Sequence, residues 1–441
     1  MWSNIQHQKN FMKQLAIHSL IVGFALFSMF FGAGNTIFPP WVGLAAGQEW
    51  ITGFICYYIA DVGLALVAVF AMLRTRSIDR VETIMVRLGP VPAKVMMSVI
   101  LICIGPLLAM PRTCATTFSM AMAPLVGSDS LPASLVFTLF FFGLTLLFSI
   151  KESALVELVG RYLTPVLIAG LLFMICMGAA FPVGVIANTP KIENVAWTGI
   201  GAGYQTLDVL AIIAFGVLIV NAMKDRGYST PGMQFLSVTM ASLVAGLALF
   251  IVYGGLCYLG ATASSLYPLD VDKGQLVINI AMGIFGSKGA VVLALIISLA
   301  CLTTAIALAG AMGTFFSMLT GGRLSYRRGL VFSCLISAVI ANFGLENIIA
   351  LAAPILTVIY PGVLAVIILS LFDRHIRNDN VFRFACAGAM LISLGEVLAW
   401  YWPLGFAFLQ SLPMYSFGFG WVVPAALCAL AGACVRAKTA G

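Results

Sequence analysis

The sequence has few charged residues. Among 441 residues there are 23 Lys and Arg and 16 Asp and Glu, which is 9% of the chain, against roughly 25% in soluble domains. A soluble protein this apolar has too few polar groups to cover its surface, and the mean hydropathy of +1.07 also excludes a disordered chain. The composition therefore excludes an ordinary water-soluble enzyme.

Recognisable catalytic motifs are missing as well. The sequence contains no GxSxG, no HExxH and no phosphate-binding loop, and its three histidines, His7, His18 and His375, lack the spacing of metal ligands. The basic residues lie in short loops and form no stripe that would bind nucleic acid. We therefore predict no enzymatic activity, no nucleic-acid partner and no tightly bound cofactor. Because no ATP-binding motif is present, active transport would have to draw on an ion gradient.

Long stretches without charge are present instead. One lies between Lys13 and Glu49 and another between Arg226 and Asp270, and both exceed the roughly 20 apolar residues that a spanning helix needs. They are continuously apolar, whereas outer-membrane strands alternate apolar and polar residues. We predict an all-α integral membrane protein of about 12 transmembrane helices. The approximate limits of these spans are 18–46 (interrupted), 50–73, 95–124, 131–149, 162–181, 203–222, 232–260, 289–318, 329–345, 347–371, 384–402 and 418–435.

The basic residues are distributed unequally between the two sides of this topology. Of the 23, 19 lie in one alternating set of loops and at the termini, whereas three lie in the other set and Arg112 lies within a span. Cytoplasmic loops carry an excess of Lys and Arg. The bias predicts that both termini are cytoplasmic.

The first span is interrupted near its middle. It reads FFGAGNTIFPP from Phe30 to Pro40, where two Gly and an Asn weaken a helix and the proline pair is expected to prevent its regular continuation. Unwound backbone at membrane depth is tolerated where it lines a cavity or is buried in protein, and in transporters such breaks hold substrates and ions. This predicts a binding site near Asn35. The alternative is close helix packing through small residues.

Two further spans carry polar residues at informative places. Asp208 opens the sixth span, where a carboxylate is costly and is expected to serve an ion or substrate or, alternatively, to cap the following helix. Thr303 and Thr304 lie in the eighth span. Their hydroxyls are suitable ligands for a hard cation, although such hydroxyls also bond to carbonyls of their own helix.

Arg112 is the basic residue deepest within a span. It lies too far from either end to reach water easily and needs a carboxylate or carbonyl partner. Asp61, in the second span, and Asp208 are the candidates. We expect either a buried ion pair or gate formed by Arg112 and Asp61, or a purely structural pair.

Several of these motifs together resemble those of the bacterial branched-chain amino acid:cation symporter family, within the amino acid–polyamine–cation superfamily. The resemblance follows the chain in order. It is carried by FGAGNTIFPP from Phe31 to Pro40, Gly105-Pro106 with Pro111-Arg112-Thr113, Tyr204 to Asp208 with Phe215-Gly216 and Val220-Asn221-Ala222, Ala300 to Ala305, and PILTVIYP from Pro354 to Pro361.

The resemblance implies the fold of bacterial neurotransmitter-transporter homologues. Two inverted five-helix repeats, at about 18–181 and about 203–371, would be followed by two additional helices at about 384–435. It also implies sodium-coupled uptake of leucine, isoleucine and valine across the bacterial inner membrane. The expected partners are the amino-acid substrate, sodium and the lipid bilayer, with the chain acting as a monomer or homo-oligomer.

Site residues are implied by the same resemblance. Backbone N–H groups near Ala33 and Gly34 would hold the substrate carboxylate, with Asp208 nearby. Asn35 and Thr206 would lie near one sodium ion. A second sodium ion would be bound by the carbonyls of Ser28 and Phe31 and the hydroxyls of Thr303 and Thr304.

We therefore interpret the sequence as a secondary symporter that works by alternating access. Proton coupling through Asp208 or Asp61, with other neutral amino acids as substrates, stays open. An ion channel is the less favoured reading, because a channel needs a continuous polar path or a charged ring and here the polar residues cluster at mid-membrane.

Overall fold

The computed structural model describes residues 2–75, 83–127, 130–206 and 208–435, and within these ranges every regular element is helical. The α-helices are α1 Trp2–Phe30, α2 Ala33–Ala46, α3 Trp50–Tyr58, α4 Leu64–Thr75, α5 Pro90–Ile102, α6 Met110–Thr117, α7 Ala123–Val126, α8 Leu131–Ser149, α9 Glu152–Leu158, α10 Thr164–Ala180, α11 Val195–Tyr204, α12 Asp208–Asp225, α13 Pro231–Thr262, α14 Lys273–Phe285, α15 Gly289–Leu319, α16 Tyr326–Ala341, α17 Leu345–Leu371, α18 Asp379–Tyr401 and α19 Val422–Cys434. Short 3₁₀-helices cover Gly47–Glu49, Thr83–Leu88, Gly286–Lys288, Pro403–Ser411 and Tyr415–Phe417.

Helices occupy all twelve predicted spans, which confirms the all-α membrane fold. In the described part of the chain, nine helices are long and apolar enough to cross a membrane, and ten are if the bent pair α11 and α12 counts as one span. The other two spans are α16, with 16 residues, and α19, with 13, which at 1.5 Å per residue are shorter than the roughly 30 Å apolar core of a bilayer.

Two predicted boundaries were wrong. The first helix begins at Trp2 rather than near residue 18, because its polar N-terminal turns continue the helix outside the apolar window. The sixth span begins at Val195, eight residues before its predicted limit of 203. Of the basic residues used for orientation, Arg76, Arg80, Arg436 and Lys438 lie outside the described residues.

The proline pair does not interrupt the first span, contrary to expectation. Pro39 and Pro40 lie inside α2, which continues to Ala46. α2 packs closely on α13 at this point, where a Cβ added to Gly260 would lie 1.8 Å from the Pro40 carbonyl oxygen. Neighbouring helices support proline-containing helices in this way within membranes. The interruption is therefore confined to Phe31 and Gly32.

Four π-helical turns are inserted into the spans. They cover Ile59–Gly63, Cys103–Ala109, Phe118–Met122 and Val159–Leu163. Such turns hold one extra residue, so they rotate the following side chains and are frequent at functional sites. The first places Asp61, which is 1% exposed, inside the bundle.

The central helices of the bundle carry the interrupted segments. α1 packs on α12, α13 and α15, while α12 also contacts α4 and α15. The late helices α18 and α19 pack mainly on each other and on α17. The helix α14 has 13 residues, too few to span a bilayer, and it packs against α2 and α15.

Candidate functional site

The break in the first span creates a helix N-terminus inside the protein. α1 ends at Phe30, Gly32 is extended (φ −114°, ψ −159°), and α2 begins at Ala33. Thr36 N donates to Gly32 O at 3.2 Å, so the N–H groups from Ala33 to Asn35 precede the helical hydrogen-bond ladder. Such a terminus attracts anions, because its N–H groups and dipole carry partial positive charge.

The break in the sixth span lies opposite. α11 ends at Tyr204, Gln205 and Thr206 form a turn, and α12 begins at Asp208 with its axis bent by 42°. Leu207 lies outside the described residues. The Thr206 hydroxyl oxygen lies 2.6 Å from the Gly203 carbonyl oxygen and 2.8 Å from Asp61 Oδ1. Asp61, a candidate residue of the second span, is thereby joined to the sixth span.

Asn35 joins two buried acids. Its Nδ2 lies 2.7 Å from Asp208 Oδ2, 3.2 Å from Asp61 Oδ2 and 2.7 Å from the Tyr253 hydroxyl oxygen. Asn35, Asp61 and Asp208 are at most 7% exposed. We name Asn35, Asp61, Thr206, Asp208 and Tyr253 the carboxylate cluster. Since buried carboxylates are costly unless paired, the cluster is suited to receive a cation or an ammonium group.

A second group of oxygen atoms lies before the break. The Ser28 carbonyl oxygen accepts from the hydroxyls of Thr303 at 3.3 Å and Thr304 at 3.1 Å, and the Phe31 carbonyl oxygen lies 3.4 Å from the Thr304 hydroxyl. Both hydroxyls also lie within hydrogen-bond distance of the Ala300 carbonyl oxygen, at 3.0 and 3.1 Å. We name these five residues the hydroxyl cluster. It is neutral and built only of oxygen, the ligand type that hard cations prefer.

A cavity connects the two clusters. Its volume is about 40 Å³, enough for a few water molecules. Its lining includes Asn35, Thr206, Asp208, Arg112 and Thr304 on the polar side. The larger apolar part of the lining comprises Met29, Phe30, Ala33, Ile104, Leu108, Ala109, Ala211, Phe215 and Leu308. The chemistry of this lining suits a small molecule with a charged head and an apolar tail.

Arg112 contacts the helix terminus and not Asp61. A Cβ added to Gly34 would lie 3.4 Å from Arg112 Nη2, so the guanidinium lies against the start of α2. Within the described residues no salt bridge joins Arg112 to Asp61, and Arg112 Nε is buried without a hydrogen-bond partner. The ion pair considered for Arg112 and Asp61 is therefore not formed in this structure. Asp61 belongs to the carboxylate cluster instead.

Two contributors to these clusters were not singled out by the sequence. Tyr253, from the seventh span, has no neighbouring polar residue that marks it. The contribution of the Ala300 carbonyl could have been predicted, because Ala300 lies three and four residues before the two threonines on the same helix. Phe215, part of the motifs that carry the family resemblance, is among the apolar residues that line the cavity.

Comparison with known sequences shows related proteins along the whole chain. A family model described as "Branched-chain amino acid transport protein" matches residues 15–439. The branched-chain amino acid permease BraB of Bacillus subtilis is 36% identical over 94% of both chains. The branched-chain amino acid transport system 2 carrier protein of Pseudomonas aeruginosa is 34% identical over 92% of this chain and 93% of its own.

Comparison with solved structures shows the fold. A sodium-coupled sialic acid symporter in a substrate-bound outward-open state is similar over 95% of this chain and 90% of its own, with a TM-score of 0.64 and 14% identity. The nucleobase-cation-symport-1 family transporter Mhp1, in a closed conformation with bromovinylhydantoin, has a TM-score of 0.58 and 13% identity, over 94% and 91%. The predicted transporter fold is thus confirmed.

Proposed function

The chain belongs to the family of branched-chain amino acid transport proteins, and from that premise we propose that this multi-pass membrane protein imports leucine, isoleucine and valine together with sodium. The observation that carries the proposal is the cavity between the two interrupted helices. It has an anion-binding helix terminus, a carboxylate cluster and an apolar wall within one volume. These three features match the carboxylate, the ammonium group and the side chain of an aliphatic amino acid.

The substrate carboxylate would lie at the start of α2. The N–H groups near Ala33 and Gly34 point away from the helix there, and the Arg112 guanidinium beside Gly34 adds a full positive charge. A carboxylate would also supply the missing acceptor for Arg112 Nε. A buried guanidinium that gains such a partner is stabilised by charge-assisted hydrogen bonds.

The amino group and the side chain would lie on opposite sides of the cavity. Asp208, whose Oδ2 is 2.7 Å from Asn35 Nδ2, would be the counter-ion of the ammonium group. The branched side chain would contact Phe30, Leu108, Phe215 and Leu308, which line the apolar part. Because this wall makes no directional bonds, it would accept leucine, isoleucine and valine with modest discrimination.

Sodium would occupy the two clusters. In the hydroxyl cluster it would replace the hydrogen bonds that Thr303 and Thr304 make to the Ser28 and Phe31 carbonyls. In the carboxylate cluster it would lie near Asn35 and Thr206, with its charge offset by Asp61. The cavity reaches Thr304 as well as Asn35, so ion and substrate would order the same break. Because sodium and substrate would order the same helix break, their binding free energies would be coupled.

Transport would then proceed by alternating access. With ion and substrate bound, the breaks in the two interrupted helices would close around the substrate. The bundle would then reopen on the opposite side of the membrane. The excess of basic residues in one set of loops supports cytoplasmic termini, and we propose the bacterial inner membrane as the location.

Proton coupling is the second candidate. It is favoured by the two acids Asp61 and Asp208, which share the single amide of Asn35, because a proton between them offsets their repulsion as a sodium ion does.

Purified full-length protein in liposomes distinguishes these possibilities. We expect labelled leucine to accumulate when an inward sodium gradient is imposed at equal pH, and not when a proton gradient is imposed without sodium. Accumulation driven only by the proton gradient would replace sodium with the proton as the coupling ion. Failure to accumulate any aliphatic amino acid under either gradient would contradict the proposed transport.

A further inference from the structure

A groove that opens at the surface of the protein lies between α5 and α18. It has a volume of about 510 Å³ and an apolar lining apart from one arginine. The wall formed by α5 includes Val91, Val95 and Val99, which extend over about 12 Å of helix. Val91 and Val95 are 70% and 56% exposed. The protein therefore leaves this apolar channel unfilled.

The arginine lies at one end of the groove. Arg383 is one turn into α18, and a Cβ added to Gly89 would lie 3.4 Å from its Nη2. Gly89 precedes the first residue of α5 and has a φ of +101°, so the guanidinium lies against the start of that helix. Two sources of positive potential, the side chain and the helix N-terminus, meet at this end.

The charge of Arg383 is not offset by neighbouring acids of the described part of the chain. Asp379, four residues earlier on α18, pairs with Arg87 at 2.7 Å, and Asp373 pairs with Arg87 at 3.2 Å. Among the described residues, Arg383 has no carboxylate within 4.0 Å, and its partner is the Asn380 side-chain oxygen at 3.4 Å. The charge of Arg87 is thus offset by two acids, whereas Arg383 faces the groove.

We propose that this groove binds an anionic phospholipid. The phosphate contacts Arg383 and the start of α5, and an acyl chain lies along Val91, Val95 and Val99. α5 and α18 both begin on the membrane side that carries the basic loops, so the groove runs from the charged surface toward the apolar interior. A phospholipid matches this order, because its phosphate is at the surface and its chains point inward. Basic sites between helices are known to bind such headgroups.

Native mass spectrometry of the purified full chain tests the proposal. The protein is equilibrated with micelles containing equal amounts of phosphatidylglycerol and phosphatidylcholine, and the retained lipids are counted. One arginine near a membrane surface contributes a preference of about fivefold for the anionic lipid, and we expect that preference in the wild type. Equal retention of the two lipids by the wild type would overturn the proposal.

Variants separate the headgroup from the acyl chain. Arg383→Gln should lose the fivefold preference, Arg383→Lys should keep most of it, and Ala387→Trp, which fills the groove, should reduce retention of both lipids. Arg327→Gln, an exposed arginine at the start of α16, is the matched control and should match the wild type. The proposal is wrong if Arg383→Gln keeps the full preference for the anionic lipid. It is also wrong if Ala387→Trp converts dimers to monomers without changing lipid retention, because the groove would then be covered by a second copy of the chain.

Discussion

The carboxylate cluster and the hydroxyl cluster lie on opposite sides of the same break, yet they are built differently. The hydroxyl cluster is neutral and comes from two helices, with carbonyls of α1 facing two hydroxyls of α15. The carboxylate cluster holds two acids and is assembled from four separate parts of the chain. A neutral site gains from a cation but tolerates its absence, whereas a charged site in a low-dielectric interior requires one. We therefore expect the charged cluster to be the more sensitive of the two.

The largest effect is expected from Asp208→Asn. The substitution removes a buried charge while its partners stay in place, which costs about 2–5 kcal/mol in comparable pairs, so leucine uptake into liposomes should fall by about 30-fold or more. Glu396→Gln is the matched control, since this acid of α18 lies outside the cluster. Wild-type uptake by Asp208→Asn would remove Asp208 from the site.

Asn35→Ala tests whether the amide holds the cluster together. Without Nδ2, Asp61, Asp208 and Tyr253 lose their common donor, and an unsatisfied buried polar group costs about 1–3 kcal/mol. Leucine uptake should fall by about tenfold, with weaker apparent affinity for both sodium and leucine. Asn342→Ala removes an amide that bonds to the Ala338 carbonyl, away from the cavity, and should leave both affinities unchanged. An equal loss in both variants would refute a specific role for Asn35.

Thr304→Ala sharpens the comparison, because it alters the neutral cluster alone. The sodium concentration for half-maximal uptake should rise by about tenfold, in line with losses of metal-site groups elsewhere, while the leucine KM at saturating sodium changes little. Thr304→Ser keeps the hydroxyl and should restore sodium affinity. If serine does not restore it, the hydroxyl is not the ligand.

The smallest effect is expected at the apolar wall. Leu308→Ala removes three carbon atoms that face the cavity, so the leucine KM should rise severalfold, and the preference for leucine over valine should shrink. Leu293→Ala, at a fully buried position of the same helix, creates a comparable cavity in the packing without touching the site. Equal changes of KM in both variants would show that stability, not contact with substrate, is responsible.

Local features of the site could be predicted from the sequence because they depend on short stretches of chain. The Gly-Ala-Gly-Asn run does mark the break, and the polar start of the sixth span marks the second break. The proline pair was misjudged, because a helix that contains proline can continue when a neighbouring helix packs closely against it. That neighbour, Gly260 of α13, is 220 residues away from Pro40.

Long-range features could not be predicted. Asn35 meets Asp61, Asp208 and Tyr253 across separations of 26, 173 and 218 residues. Spans such as α13 and α15 are apolar on every side, so no amphipathic period indicates which face points inward. The π-helical turn at Ile59–Gly63 further rotates Asp61 relative to a regular helix. The partner of Arg112 stayed open between Asp61 and Asp208 for the same reason.

The sequence by itself determined the class of protein, its approximate membrane spans and the place where the first span is interrupted. Those properties follow from the free energy of transferring about 20 residues at a time into a bilayer and from the local conformational preferences of Gly and Asn. The tertiary structure alone decided which polar groups share a site. That outcome depends on the rotation and register of helices packed against one another, and it placed two acids on one amide and Arg112 on a helix terminus.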